Sequence, residues 1–414
     1  MTISSSLDQA PTTSSENSGV PVLVLGSGVT LTGVLRTLRR ANIPCFAVSD
    51  VVDFASRSRW YRRLPTEFHG RPKPWQLVSF LQTVPLERAM LLPCSDDWVR
   101  AVAALPDSLA ERFPSSTAPL AAVDIMVDKW RFATWLERLG IPHPQTRLVR
   151  SAREMEALAE ADFAGRFLKP LCSVEFSRKH GVKGFLVQNR AEAMRVTEYP
   201  ILLQEYIPGP PTAGCFVEGF MDRNGRVRAR FARRRLRMYP SRLGNSSLMV
   251  SVPVEELAEA SATLDQLLQA VGYRGIFSAE FKYDLRDRRY KIIEVNARSW
   301  WYVEFAARCG VDVCQLAYRD ALGLPLETVT TYRVGRRCLH LANDFRAYCE
   351  QRKAGGMSLW SWIQPWLGAE DGLLRWNDPG PGIAYYSQGL KPQPTPTQGR
   401  RAPTTAALPS NAVP

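Results

Sequence analysis

The chain is poor in the residues that build metal cages and cross-links. Among 414 residues it has four histidines (His69, His143, His180 and His340) and eight cysteines, with no Cys-x-x-Cys pair. That argues against a structural zinc site and a disulfide framework, and fits a reducing, cytoplasmic location. No apolar run reaches the length of a membrane span. The opening MTISSSLDQAPTTSSENSG has neither the basic start nor the apolar core of a secretory signal. Acids are also scarce: 40 Asp and Glu against 53 Lys and Arg leave a net charge of +13. Such a charge suits nucleic acid, an anionic surface or polyanionic small ligands such as nucleotides, and does not choose among them.

What is present is a globular composition, 45% hydrophobic, long enough for two or three domains. After a Ser/Thr-rich, disordered stretch (1–19), an apolar strand at 20–25 runs into GSGVTLTG, a helix over 32–40 and a second strand at 45–48. This is a βαβ opening of Rossmann type. The third glycine of a dinucleotide fingerprint falls at Leu31, so the match is defective, and the loop reads as a dinucleotide site or as a packing relic of one. Residues 56–65 hold four arginines and two aromatics, the pattern of a solvated loop or an anion-facing one. Met90, Leu91 and Leu92 form a buried strand, and 93–97 the loop at its carboxyl end, where α/β proteins place ligands.

A second unit starts after Pro119. Asp128 caps a helix over 129–139 that stops at Gly140. Lys129 in its first turn is disfavoured by the helix dipole, and a nearby phosphate makes sense of it. Residues 166–170 read as a strand carrying Lys169. The polar loop after it, to Gly184, holds Ser173, Ser177, Lys179, Gly181 and Lys183, and suits either a phosphate cradle or a plain surface loop. ILLQEY (201–206) turns from apolar to polar before a Pro/Gly break. Strands at 215–221 and 227–232 flank an Asn-Gly turn. The second leads into Arg233, Arg234, Arg235 and Arg237, read as a carboxylate or phosphate clamp, since no aromatic platform for nucleic acid interleaves them. A loop at 241–247 and a helix at 254–270 follow.

Residues 277–301, FSAEFKYDLRDRRYKIIEVNARSWW, read as a hairpin. Strand alternation collects Glu294, Asn296 and Arg298 on one face of its second arm, opposite Glu280. Mg²⁺ favours one or two carboxylates together with substrate phosphates, so this is either a seat for a nucleotide's metal or a charged sheet face with Lys282 and Arg298 pairing the acids.

Taken together, Asp128 with Lys129, Lys169 with Pro170, QEYIPG (204–209), AEFK (279–282) and EVNAR (294–298) occur in an order that resembles the ATP-grasp superfamily. The similarity covers residues 20–325 and points to carboxylate–amine ligases related to D-aspartate ligase and to the ATP-binding halves of carbamoyl-phosphate synthase. The resemblance implies an α/β and α+β fold: a Rossmann-like domain (20–119) that binds no dinucleotide, then a two-subdomain ATP-grasp domain (120–325) with a lid subdomain at roughly 130–205.

The resemblance also implies roles. Lys129 and Lys169 contact ATP phosphates. Gln204, Glu205, Tyr206 and Ile207 form the adenine hinge, Glu205 accepting from the adenine amino group and Ile207 bonding through its backbone. Glu280, Glu294 and Asn296 hold Mg²⁺ or Mn²⁺, Arg298 stabilises the transferring phosphoryl group, and the loop 172–184 is the lid. Relatives bind ribose through an acid soon after the hinge; here Glu218 is the candidate. Arg233, Arg235 and Arg237 are substrate candidates on spacing and charge. The implied reaction joins a small carboxylate to an amine through an acyl phosphate. A bicarbonate-using carboxylase or carbamoyl-phosphate type enzyme and a non-catalytic ATP-binding regulator are the alternatives. No nucleic-acid partner is expected, and a homodimer is the assembly common among relatives. Residues 326–390, with Trp360, Trp362, Trp366 and Trp376, read as a packed C-terminal wall or an interfacial surface, and 391–414 as a disordered Pro/Thr-rich tail.

Overall fold

The computed structural model describes residues 19–171, 184–240, 244–353 and 355–389. Its strands form three sheets. The first is parallel, in the order β2 (Cys45–Val48), β1 (Val22–Leu25), β3 (Met90–Pro93). VLVL in β1 is buried along its whole length, as a parallel strand covered on both faces requires.

The first helix spans Gly28–Arg40 and so starts before the expected position 32. The backbone N–H of Gly28 donates to Asp53 Oδ2 at 2.5 Å, so the chain's own carboxylate terminates the helix. A pyrophosphate at this end would meet that negative charge, which removes the dinucleotide reading. A Cβ on Gly26 would fall 2.7 Å from Cys94 Cβ, and its φ is +150°. The glycine pattern serves close packing of this turn on the loop after β3.

The second sheet is antiparallel, in the order β4 (Thr146–Val149), β7 (Ile201–Glu205), β5 (Arg166–Pro170), β6 (Phe185–Val187). The third has seven strands: β12 (Arg289–Asn296), β11 (Gly275–Asp284), β8 (Gly214–Met221), β9 (Val227–Tyr239), β10 (Asn245–Val252), β13 (Arg337–Leu339), β14 (Ala369–Asp371). Phe220, Phe231, Trp300 and Val303 from this part of the chain share one core with Val22, Leu31 and Leu35 of the N-terminal unit.

Strand β9 overruns its expected end at 232. Arg233, Arg235 and Arg237 alternate onto one face and are 3%, 7% and 5% exposed. Each faces a carboxylate, Glu218, Glu280 and Asp344 respectively, so the cations go inside without breaking the ladder. The expected loop at 241–247 is in part strand: Asn245 begins β10, where Ser246 Oγ accepts from Arg235 and Ser247 Oγ donates to Asp344.

The tryptophan-rich C-terminal stretch adds β13 and β14 to the largest sheet. Trp362 and Trp366 donate their indole N–H groups to Asp344 Oδ2 at 2.9 and 2.8 Å. Trp360 and Trp376 stay exposed. Packing therefore accounts for two of the four. Among the described residues no helix is long and apolar enough to cross a membrane.

Candidate active site

A cavity of about 350 Å³ lies between the four-stranded and the seven-stranded sheets. Its walls include Lys129, Lys169 and Gln204 from the side of the four-stranded sheet, Glu280, Glu294, Asn296 and Arg298 from the hairpin, and Asp96 from the N-terminal unit.

Asp128 accepts from the N–H groups of Trp130 and Arg131 at 2.9 Å each, which starts helix Lys129–Arg138 at the lysine. Lys129 Nζ lies 3.4 and 3.3 Å from the carbonyls of Pro170 and Leu171. It is thereby held against the end of β5, the strand that carries Lys169. Two cations thus stand together on one wall.

On the hairpin, Glu280 pairs with Glu294 and Ser278 with Asn296 across β11 and β12. Neighbouring rows of one ladder present two carboxylates and an amide oxygen to the cavity. Glu280 Oε1 accepts from Arg235 Nη2 at 2.9 Å, and Asn296 Oδ1 from Arg298 Nη2 at 3.0 Å. The Glu294 side chain is exposed and has no ion pair or hydrogen bond among the described residues. No group of three His, Cys, Asp or Glu among the described residues makes an all-protein metal cage. A two-carboxylate set with one amide fits Mg²⁺, which shares its shell with substrate phosphate and water.

The expected hinge is split. Gln204 reaches the cavity wall, its Nε2 donating to Thr146 Oγ1 at 2.9 Å, whereas Glu205, Tyr206 and Ile207 lie beyond its edge. Glu205 Oε1 takes Arg286 Nη2 at 2.6 Å, so its side chain is already engaged. Lys282 Nζ donates to the Ile207 carbonyl at 2.6 Å and sits 5.1 Å from the centre of the Tyr206 ring. Burial, then the nearby Arg235, holds the Lys282 ammonium below its usual pKa.

Two expectations need correction. Glu218 is fully buried beneath the cavity floor, with Arg233 Nε 3.0 Å from each of its oxygens and Ser278 Oγ donating at 2.9 Å, so it has no open side for a ribose. Arg237 is not in the cavity wall. It donates to Asp344 at 2.9 and 2.7 Å and to the Trp362 carbonyl, which makes it an anchor for the C-terminal stretch. Arg233 and Arg235 do line the cavity, but as paired cations, and the Arg233 guanidinium lies 3.6 Å from the Phe216 ring centre. The lid expected at 172–184 falls, except for Gly184, outside the described residues.

Sequence reasoning singled out the loop at 93–97 without naming Asp96, whose Oδ1 accepts from Arg298 Nε at 2.7 Å. Its position at the carboxyl end of a parallel strand was the available signal. The cysteines of the described residues are all free, and burial pushes the Cys94 and Cys215 thiols up to about 12. Neither is suited to act as a thiolate nucleophile near neutral pH.

No family model matches the chain. In sequence it is similar to D-aspartate ligase of Enterococcus faecium, 23% identical over 263 residues, which is 59% of this chain and 62% of that one. The chain thus spans about three fifths of that relative's length. In structure it is similar to L-amino acid ligase from Bacillus licheniformis, with a TM-score of 0.57 and 15% identity over 77% of this chain and 78% of that one. A biotin carboxylase domain of 2-oxoglutarate carboxylase from Hydrogenobacter thermophilus, in complex with magnesium ADP, ADP and bicarbonate, gives a TM-score of 0.58 and 17% identity over 77% and 73%. Its fold is therefore the ATP-grasp fold of these solved structures.

Proposed function

We propose that the chain is an ATP-dependent carboxylate–amine ligase. The observation that carries this reading is the convergence of Lys129 and Lys169 with Glu280, Glu294, Asn296 and Arg298 on one cavity. A carboxylate is a poor electrophile. Its oxygen attacks the γ-phosphorus of ATP, the bond to the β-phosphate oxygen breaks, and ADP leaves an acyl phosphate. A neutral amine then attacks the carbonyl carbon, loses its proton and expels inorganic phosphate, giving the amide.

No side-chain nucleophile is needed, so the protein's share is positioning and charge neutralisation. Lys129 and Lys169 take the phosphate oxygens. Arg298, held by Asp96 and Asn296, faces the charge that develops on the transferring phosphoryl group. Glu280, Glu294 and Asn296 would hold Mg²⁺, which when bound would supply positive charge to the phosphate oxygens. With the Glu205 side chain engaged by Arg286, adenine contacts in the hinge fall to main-chain groups and Gln204.

The test is an ADP-release screen over pairs of amino acids and small carboxylates with mass detection of the amide. ADP and an amide appearing together for a defined pair is the expected result. ADP formed with bicarbonate as the sole carboxylate would move the reading to a carboxylase. Nucleotide binding without turnover for every pair would move it to a regulator.

A further inference from the structure

A second cavity, of about 320 Å³, is lined by Arg40, Arg308, Gly310, Arg333, Arg336 and Glu370 and shares no residue with the active-site cavity. Four arginines and one glutamate line it. They come from separated parts of the chain: the last residue of helix Gly28–Arg40, the last turn of helix Val303–Cys309, and the segment before β13, while Glu370 is in β14. None takes part in the proposed ligase chemistry.

The arrangement is built. Arg40 Nη2 donates to the Ala307 carbonyl at 2.8 Å, and the Arg333 backbone N–H to the Cys309 carbonyl at 2.8 Å. The Arg40 side chain and the Arg333 backbone are thus fixed at one helix end, which Gly310 terminates with a φ of +116°. Glu370 accepts from Arg308 Nε at 2.5 Å and Arg336 Nη2 at 2.6 Å, and Arg375 Nη1 lies 3.2 Å away. Although burial opposes it, the neighbouring arginines hold the Glu370 carboxyl below its ordinary range, so it counts as a full negative charge at neutral pH. The Arg333 side chain is exposed and has no ion pair or hydrogen bond among the described residues.

Like charges gathered around one cavity repel, and three more positive than negative groups are left after Glu370 is counted. An oxyanion of matching charge relieves that repulsion, and guanidinium forks take phosphate oxygens two at a time. We propose that this cavity binds a phosphate-bearing small molecule, separately from the nucleotide of the active-site cavity.

The test is calorimetric titration of the full chain with pyrophosphate, in a Lys129→Ala/Lys169→Ala background that strips two cations from the other cavity. One pyrophosphate per chain is expected to bind. Arg333→Glu, at an exposed residue whose side chain holds nothing in the fold, is expected to weaken it by roughly tenfold or more, and Arg333→Lys to recover part of the loss. Arg88→Glu, a reversal at an exposed arginine of the N-terminal unit, is expected to leave binding unchanged. Absence of saturable binding in the background protein, or equal weakening by Arg88→Glu, overturns the site. Tighter binding of citrate than of pyrophosphate overturns the phosphate assignment.

Discussion

Asp96 and Arg298 are 202 positions apart in the chain and meet at 2.7 Å in the wall of the active-site cavity. One belongs to the N-terminal unit and the other follows β12. Arg298 also donates to the Ser299 carbonyl and to Asn296 Oδ1, each at 3.0 Å. Among the described residues Asp96 is thus the one charged acceptor of the guanidinium, and it reads as a positioning residue for it.

Asp96→Asn keeps the side-chain shape and removes that charge. It is expected to lower kcat for ADP formation by roughly ten- to a hundredfold while changing the KM for ATP by less than about threefold. Asp96→Glu should recover part of kcat. A matched rise in KM with kcat unchanged would assign Asp96 to nucleotide binding instead.

Glu294 presents a carboxylate with no partner among the described residues, so replacing it costs the fold little. Glu294→Gln is expected to lower ADP formation by about a hundredfold or more, with unfolding stability within about 0.5 kcal/mol of the parent. Near wild-type turnover in steady-state assays would sink the metal assignment.

The parts of this site readable in the sequence are those fixed by local rules. A capping Asp128 sets Lys129, the apolar pair Phe167 and Leu168 marks β5 beside Lys169, and the period of two puts Ser278 with Glu280 on one face of β11 and Glu294 with Asn296 on one face of β12. The partners of buried charge were not readable. Glu218 and Arg233 meet only once β8 and β9 take the register that sets Phe216 against Arg233, and Arg237 finds Asp344 across 107 positions. Charge and spacing marked the arginines as ligand-facing, because the carboxylates that neutralise them are distant in sequence. Strands β13 and β14 have three residues each, too few for alternation to register.

Asp344 is the most heavily bonded of these carboxylates. It is fully buried and accepts from Arg237 Nε and Nη2, Ser247 Oγ, and the indole N–H groups of Trp362 and Trp366. Asp344→Ala leaves a buried guanidinium without its counter-charge and three neutral donors without an acceptor. A loss of roughly 3–5 kcal/mol in denaturant unfolding is expected. The Trp362 and Trp366 fluorescence should shift as the C-terminal helices loosen from β9. A loss below about 1 kcal/mol would show that water replaces the carboxylate without cost.

His340 gives the protein a pH dependence whose sign follows from its burial. The ring is 1% exposed, and neither nitrogen has a hydrogen-bond partner among the described residues. It packs against Trp301 at 6.0 Å between centroids, Tyr385 at 5.1 Å and Tyr386 at 5.9 Å. Burial lowers its pKa from the ordinary 6.5, the charge of Asp371 works in the opposite direction, and Arg346 adds to the lowering. The unfolded chain therefore takes up this proton before the folded one does. The stability that the neutral ring confers is complete above 6.5 and is lost progressively as the pH falls below it toward the folded-state pKa. His340→Phe keeps the aromatic packing and removes the titration. Thermal melts of both proteins between about pH 7 and pH 5 should show a steeper fall in Tm for the parent than for the variant, since carboxylates that titrate in this range are common to both. Parallel curves would mean that burial does not hold the His340 ring below its ordinary pKa in the folded protein.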